Sequence, residues 1–281
     1  MDLPQPKLKS GPWLMAVLNV TPDSFSRDGR FGSPSAAIDS GFALAEAGAD
    51  VIDIGGDAIR PGAPPTPAEE EIARVLPVIE ALAKAKIATL SIDTMKPEVA
   101  RAAIAAGATM WNDISALAYA PDSVATAVAL DCPVVLMHMQ GEPHAMQANP
   151  VYGEVVSDVA QFLAERAEIA EAAGVRPENI WVDPGLGFGK LLEHNLDIIR
   201  GIGEIRAYTE RRLVFAASRK GFIGAIEERW GRPVSDADER LGGSLAAALA
   251  AWEFGADMLR VHDVAETVQA LRVWLAIGDG V

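Results

Sequence analysis

The chain has 281 residues, of which 50% are hydrophobic and 22% charged, so it can bury a large core and is not an intrinsically disordered protein. Its formal net charge of −15 argues against nucleic acid as a partner, because the chain would repel a phosphate backbone. Any anionic ligand must therefore meet a locally basic pocket.

Export and membrane insertion are not predicted either. The first ten residues contain no apolar signal-peptide core, and no run in the chain approaches the roughly 18 apolar residues of a membrane span. We therefore expect a cytoplasmic protein with no membrane partner. Cys132 is the only cysteine, which excludes an intrachain disulfide and a cysteine-based zinc site. We expect its side chain to be buried.

Short apolar runs alternate with longer Ala-rich segments of helical period along the whole chain, which predicts repeated βα units around a parallel sheet. About eight such units fit an α/β fold, the single-domain (β/α)8 TIM barrel. We assign residues 13–281 to this barrel and residues 1–12 to an N-terminal extension. The predicted strand cores are 14–18, 51–54, 89–92, 110–112, 134–137, 180–182, 213–216 and 258–261.

Glycines are expected to end several of the helices. Gly48, Gly107 and Gly255 each stand between an Ala-rich segment and a strand, where a left-handed residue stops the helix and turns the chain. The segment 218–240, after the seventh strand, is long enough to contain a short extra helix.

Polar residues follow the predicted strands, at the barrel end where TIM-barrel active sites lie. For Asp53, Asp113 and Asp263 we favour a local capping role, since Asp often accepts backbone N–H bonds at such ends. The polar residues that close the eight runs are Asn19, Asp53, Asp93, Asn112 with Asp113, His138, Asp183, Ser218 with Arg219 and Lys220, and Arg260 with His262.

Three of these residues suggest a ligand. Asp93, Asn112 and Asp183 come from separate strands, and their oxygens can accept N–H bonds from a guanine-like or pterin-like ring. Clustered carboxylates at a barrel rim also suit a divalent metal. The residues alone favour these two interpretations about equally.

Basic residues after the last two strands indicate an anionic substrate, because barrels often bind phosphate there. Met137, Phe25 and Phe188 are candidates for apolar pocket walls. The segment 185–190 is rich in glycine but lacks the spacing of a nucleotide-binding loop. We interpret it as a tight rim loop whose glycines permit close approach of a ligand, with a purely structural turn as the alternative.

The rim motifs resemble those of dihydropteroate synthases, in family order from about residue 13 to residue 273. The matching segments are Leu18-Asn19-Val20-Thr21-Pro22-Asp23-Ser24-Phe25-Ser26, Ser91-Ile92-Asp93-Thr94, Asn112-Asp113-Ile114, Leu136-Met137-His138-Met139-Gln140-Gly141, Asp183-Pro184-Gly185-Leu186-Gly187-Phe188-Gly189-Lys190, Ser218-Arg219-Lys220 and Arg260-Val261-His262-Asp263-Val264.

The resemblance implies a transferase that joins 6-hydroxymethyl-7,8-dihydropterin diphosphate to para-aminobenzoate, with Mg2+, as a homodimer that sulfonamides can inhibit. It also implies roles for the rim residues. These are catalysis for Lys220, Asp93 and Asp183; pterin binding for Asp93, Asn112, Met137, Asp183, Phe188, Lys220 and Arg260; diphosphate binding for Asn19, Arg60, Arg260 and His262, with Asn19 as the metal ligand; and a para-aminobenzoate pocket of Phe25, Ile59, Pro61, Phe188, Ser218, Lys220 and Gly221.

The departures from the family pattern fall in the second-substrate region. Where the family usually reads Gly-Glu-Ser-Thr-Arg-Pro-Gly, this chain has Gly56-Asp57-Ala58-Ile59-Arg60-Pro61-Gly62, so an apolar Ile59 replaces a hydroxyl. Residues 27 and 28 and Gly221 also differ. We expect altered affinity for para-aminobenzoate or altered discrimination against sulfonamides.

Three other functions are consistent with parts of this pattern. A Schiff-base aldolase would use Lys220 as its nucleophile. A repurposed pterin-binding paralogue would keep the pterin residues and lack turnover. A methyltetrahydrofolate-binding methyltransferase would share the pterin pocket, but it has no need of the diphosphate-binding set, which this chain retains.

Overall fold

The computed structural model describes residues 3–21, 34–57, 66–141, 146–147 and 149–278. Within them, eight parallel strands close into a barrel in sequence order, which confirms the predicted (β/α)8 TIM barrel. The strands are β1 (Trp13–Asn19), β2 (Val51–Gly55), β3 (Thr89–Asp93), β4 (Met110–Asp113), β5 (Val134–Met137), β6 (Ile180–Asp183), β7 (Arg212–Phe215) and β8 (Met258–Val261).

The α-helices of the described residues surround this barrel, and none of them is both long and apolar enough to cross a membrane. The connection after β7 contains the expected extra helix, α8. The helices are α1 (Pro34–Ala47), α2 (Ala68–Ala85), α3 (Pro97–Ala105), α4 (Ser123–Leu130), α5 (Val155–Ala173), α6 (Leu192–Arg200), α7 (Ile202–Thr209), α8 (Gly221–Arg229), α9 (Leu241–Glu253) and α10 (Val264–Gly278).

The glycines expected at helix ends have the required conformation. Gly48, Gly107 and Gly255 have φ angles of +114°, +116° and +108°, a region in which residues with a side chain are strained. Each one turns the chain from a helix into the next strand, as the sequence predicts.

The barrel interior is built in two levels, because successive strand residues point to opposite sides of the wall. Inward-facing apolar side chains fill the lower level as a closed floor, each at most 1% exposed. The next inward positions of the same strands lie above this floor, and four of these seven positions are polar, namely Asp53, Asn112, Asp183 and Arg260. The floor residues are Met15, Val51, Met110, Val135, Trp181, Val214 and Met258.

The outward-facing strand residues pack against the helices. Ile52 and Ile54 belong to one buried cluster together with α2, and Phe215 and Leu259 to a second cluster together with α9 and α10. Cys132 is buried in the first of these clusters, as expected. The barrel wall is thus supported from both sides, and its upper rim is the part free to carry function.

Candidate active site

A cavity of about 240 Å³ opens at the carboxyl ends of the strands. It lies directly above the apolar floor. The same alternation of strand residues that points the floor side chains inward also points the strand residues lining the cavity inward. Nine of the residues expected at the site line it, namely Asn19, Asp93, Asn112, Met137, Asp183, Phe188, Lys220, Arg260 and His262.

The remaining expected residues lie elsewhere or are not described. Ser218 lines a neighbouring cavity that shares Asn19 and His262 with the first, and its Oγ lies 3.0 Å from His262 Nδ1. Gly221 is exposed at the start of α8. The four residues outside the described part of the chain are Phe25, Ile59, Arg60 and Pro61.

Asp53 is not the cap that its position suggested. Its side chain is fully buried inside the barrel, and its Oδ2 accepts hydrogen bonds from Asn112 Nδ2 at 2.9 Å and from Arg260 Nε at 2.7 Å. The same guanidinium donates from Nη2 to Asp93 Oδ2 at 2.6 Å. Four strands are therefore joined beneath the pocket by one hydrogen-bonded network.

Burial raises the pKa of Asp93 above its usual range, against the opposing charge of Arg260. Asp53, Glu71 and Asp113 add to the increase through like-charge repulsion. Because Arg260 binds both Asp53 and Asp93, the carboxylates that a metal would have needed are already paired with a cation. This donor set favours a hydrogen-bonding ring over an enolase-like metal site.

Asp183 and Lys220 form the opposite side of the pocket. Burial raises the pKa of Asp183, while Lys220 and the Gly185 N–H act to lower it. Burial also lowers the pKa of Lys220 to about 8. The Lys220 ammonium donates to the Leu186 carbonyl and lies 4.9 Å from the centre of the Phe188 ring. A cation, a carboxylate and an aromatic face thus meet on one wall.

The remaining rim histidines differ in their surroundings. Burial and the neighbouring Arg260 lower the pKa of His262 to about 4, so its ring is neutral at physiological pH and offers hydrogen bonds without a charge. His138 does not line the cavity. Its Nδ1 lies 2.9 Å from the buried Lys190 Nζ. Burial lowers the pKa of His138 to about 3, and the charge of Lys190 contributes to the decrease.

Two of the three glycines in the segment 185–190 permit close packing against neighbouring backbone rather than approach of a ligand. A Cβ at Gly185 would stand 2.0 Å from the His138 carbonyl oxygen, and one at Gly189 would stand 2.3 Å from that of Gln140. Only at Gly187 would a Cβ face the pocket side, 3.5 Å from Lys220 Cδ. The structural alternative therefore holds for Gly185 and Gly189.

A buried ion-pair cluster at the root of the β2 connection was not predicted from the sequence. Lys96 Nζ lies 2.9 Å from Asp57 Oδ2 and 2.6 Å from Glu71 Oε2. Asp57 lines the pocket, and its Oδ1 accepts a bond from Thr66 Oγ1 at 2.7 Å. The signal available in the sequence was Glu71, an acidic residue at a core-facing position of α2.

Two other charged residues form local structure. Arg219 pairs with Asp263. Arg219 is therefore not the free anion-binding group that was expected, and Asp263 is not a simple cap. Asp113 does act locally, as predicted, because its carboxylate accepts the Ser115 and Leu117 N–H groups.

The fold and the pocket define a barrel enzyme that holds an N–H-rich planar ligand beside cationic and neutral hydrogen-bond donors. The model of the pterin binding enzyme family matches residues 15–262. The dihydropteroate synthase of Haemophilus influenzae is 43% identical over 270 residues, which is 96% of this chain and 95% of the relative. That of Escherichia coli is 42% identical over 264 residues, 94% of this chain and 91% of the relative.

Solved structures agree with these relatives. Xanthomonas albilineans dihydropteroate synthase with 4-aminobenzoic acid superposes with a TM-score of 0.87 at 44% identity, covering 95% of this chain and 93% of that one. Yersinia pestis dihydropteroate synthase in a sulfonamide drug complex gives a TM-score of 0.89 at 38% identity, covering 99% and 96%. The chain belongs to the pterin binding enzyme family.

Proposed function

We propose that the chain is a transferase that condenses 6-hydroxymethyl-7,8-dihydropterin diphosphate with para-aminobenzoate, giving 7,8-dihydropteroate and diphosphate. One observation carries the proposal: Asp93, Asn112, Asp183 and Lys220, from four strands or strand ends, line a single cavity with Arg260 and His262 beside them. The relatives named for this activity cover nearly the whole chain.

The pterin ring is proposed to bind deepest, just above the floor. Its N–H groups are donors, and Asp93, Asp183 and Asn112 offer acceptors. Lys220 supplies a donor for the carbonyl or ring-nitrogen side of the same heterocycle, and Met137 and Phe188 supply apolar walls. A ring that lacked these N–H groups would leave buried carboxylates unpaired, which costs affinity.

The diphosphate is proposed to leave before the amine attacks. Breaking the C–O bond leaves positive charge on the pterin methylene, which the carboxylates of Asp93 and Asp183 stabilise. Arg260 uses Nε and Nη2 on Asp53 and Asp93, and no described residue accepts a bond from its Nη1. That group and the neutral His262 are available to hold the departing anion. The amine nitrogen then forms the new C–N bond and loses a proton to solvent.

Mg2+ is the proposed cofactor, with Asn19 as its protein ligand. Asn19 ends β1, is exposed, and lines the pocket. Its amide oxygen suits Mg2+, which commonly takes one or two protein oxygens and completes its shell with phosphate and water. When bound, the ion would supply charge stabilisation to the leaving diphosphate. Asn19→Ala is expected to raise the Mg2+ concentration required for half-maximal activity.

The para-aminobenzoate pocket is proposed to form at the cavity mouth, beside Phe188 and Lys220. Sulfonamides are proposed to occupy the same place, since a Yersinia pestis relative has been solved in complex with such a drug. The resemblance also supports a cytoplasmic location and a homodimer, and light scattering of the purified protein would test the dimer.

The deciding experiment incubates the protein with both substrates and Mg2+ and follows dihydropteroate by mass spectrometry, with calorimetry of each substrate alongside. Mg2+-dependent product is the expected result. Pterin diphosphate binding without product would instead favour a repurposed paralogue. Borohydride trapping of Lys220 with a carbonyl substrate would indicate an aldolase, and no binding at all would refute the proposed function.

A further inference from the structure

The proposed reaction leaves one buried carboxylate next to the pocket-lining residues without a role. Asp53 is fully buried, and only its Oδ2 is hydrogen-bonded; Oδ1 has no partner among the described residues. A buried charge with one unpaired oxygen costs free energy of folding. Stability is therefore a poor explanation for Asp53, and its two hydrogen-bond partners, Asn112 and Arg260, both line the pocket.

Asp53 fixes the orientation of the Asn112 amide. Asp53 Oδ2 accepts hydrogen bonds from two N–H groups, Arg260 Nε and Asn112 Nδ2, so it acts as an acceptor and faces the nitrogen of the Asn112 amide. The Asn112 oxygen must then point the other way. Asn112 thus offers the ligand an acceptor, whereas an unrestrained amide could rotate and offer a donor.

A second consequence of Asp53 concerns Arg260. Its guanidinium is planar, and contacts at two of its nitrogens fix the plane. Nε is held by Asp53 at 2.7 Å and Nη2 by Asp93 at 2.6 Å. Without Asp53, only the Asp93 contact would remain, and the guanidinium could turn about it. Asp53 therefore controls the direction of the donors that Arg260 presents to the cavity.

We propose that Asp53 is a positioning residue that determines which pocket groups accept hydrogen bonds and in which direction the others donate them. It holds Asn112 as an acceptor and Arg260 in one plane, so the pocket selects a ring edge rich in N–H donors. The proposal rests on the proposed function in that the ring is taken to be a pterin. It goes beyond that function by assigning ring selectivity to a residue that does not line the cavity.

The test compares two ring ligands that lack the diphosphate, so that neither Mg2+ nor the leaving-group residues contribute. One is 6-hydroxymethyl-7,8-dihydropterin, and the other is its 2-oxo analogue, in which an acceptor replaces the 2-amino donor. Calorimetry gives the ratio of the two affinities. We expect the wild type to prefer the amino compound at least about tenfold, which corresponds to about 1.4 kcal/mol.

Asp53→Ala is expected to lower this ratio several-fold, because the Asn112 amide is then free to rotate, while Asp93 and Asp183 still accept N–H groups of the ring. Asp53→Asn keeps one acceptor oxygen and should restore part of the preference. The matched control is Asp50→Ala. Asp50 is also a buried carboxylate next to β2, but it accepts the Lys7 and Leu14 N–H groups away from the pocket. Its loss should leave the ratio unchanged.

The possible outcomes separate clearly. An unchanged ratio in Asp53→Ala overturns the proposal, whatever happens to stability or to overall affinity. If Asp53→Ala does not fold, the wild type still decides: the Asn112 side-chain amide protons, assigned by their loss in Asn112→Ala, should exchange slowly with solvent, and rapid exchange overturns the proposal. A wild type that binds neither ring refutes the proposed function instead.

Discussion

The Asp57 carboxylate and the Lys96 ammonium pair at 2.9 Å, although 39 residues separate them in the chain. Both side chains are largely withdrawn from solvent, and Lys96 also holds Glu71, which is completely buried. The pair joins the end of β2 to the end of β3 at the pocket rim. Its charge balance therefore affects both stability and the geometry of the rim.

Lys96→Met should lower the free energy of unfolding by about 3–5 kcal/mol, because it leaves buried carboxylates without their cation. Urea unfolding at neutral pH would measure this. The matched control is Lys84→Met on the exposed face of α2, with an expected change within about 0.5 kcal/mol. Equal effects of the two changes would show that the buried cluster has no special contribution.

The pH dependence of this pair follows from its pKa shifts. Burial acts to raise the pKa of Asp57, but hydrogen bonds from Lys96 and Thr66 outweigh it and lower this pKa below 3.8. Burial acts to lower the pKa of Lys96, but Glu71 and Asp57 outweigh it and raise this pKa above 10.5. The contribution of this ion pair to the free energy of unfolding is therefore constant between pH 3.8 and pH 10.5. It is lost as pH falls through the folded pKa of Asp57 or rises through that of Lys96. Stability curves of the wild type at the two extremes test this.

Activity should fall at alkaline pH as Lys220 loses its proton. Burial lowers the pKa of Lys220 to about 8, with Asp183 opposing the decrease. Only the protonated form, below that pH, makes a charge-assisted hydrogen bond to the pterin, which is stronger than the bond from a neutral amine. Lys220→Met should reduce kcat/KM about tenfold to a hundredfold, since a charged hydrogen bond is lost. Lys220→Arg should keep part of the activity without the alkaline decline, and a decline that persists in Lys220→Arg would assign it to another group.

Gly185→Ala should destabilise the protein by about 3 kcal/mol or more, because the new methyl group would overlap a backbone carbonyl and no rotation can move it away. The φ angle of Gly185 is +67° and that of Gly187 is +79°. Gly187→Ala is the matched control, and it should cost only the left-handed strain of about 1–2 kcal/mol. Chemical denaturation of both variants measures the difference. Similar costs would mean that the strand 5 and strand 6 loops can separate.

Ile59→Thr should strengthen para-aminobenzoate binding, because it restores the hydroxyl that the family usually carries. One neutral hydrogen bond contributes about 1 kcal/mol, or about fivefold in affinity. The KM for para-aminobenzoate and the inhibition constant of a sulfonamide should be compared in the wild type and the variant. Ile59→Val, which trims the side chain without adding a hydroxyl, is the control. No change in either constant for Ile59→Thr would remove the basis for altered selectivity.

The architecture was predictable because its signals are local. The apolar runs gave every strand to within one residue at each end; the predicted 213–216, for example, is Arg212–Phe215. Glycine at helix ends and the barrel count follow from short patterns as well. The pocket residues were predictable too, since a barrel brings the strand ends together whatever their separation in the chain.

The pairings within the pocket were not predictable. Asp53 looked like a cap because a strand end is a common place for one, yet it shares inward parity with Val51 of the floor. That parity was the available clue. The bridge from Arg260 to Asp53 spans 207 residues, and the choice of partner depends on side-chain directions that one sequence does not report. The same holds for Lys190 with His138 and for Arg219 with Asp263.

The apolar floor of the barrel has a kinetic consequence. With Met15, Trp181 and Met258 filling the lower level completely, the chamber above it is a dead end, entered and left by the same mouth. Of two substrates stacked in such a chamber, the deeper must arrive first, and an early arrival of the outer one blocks the way. If the pterin binds deepest, as proposed, it must enter before the amine, and a product that spans both depths must leave completely before the next cycle begins.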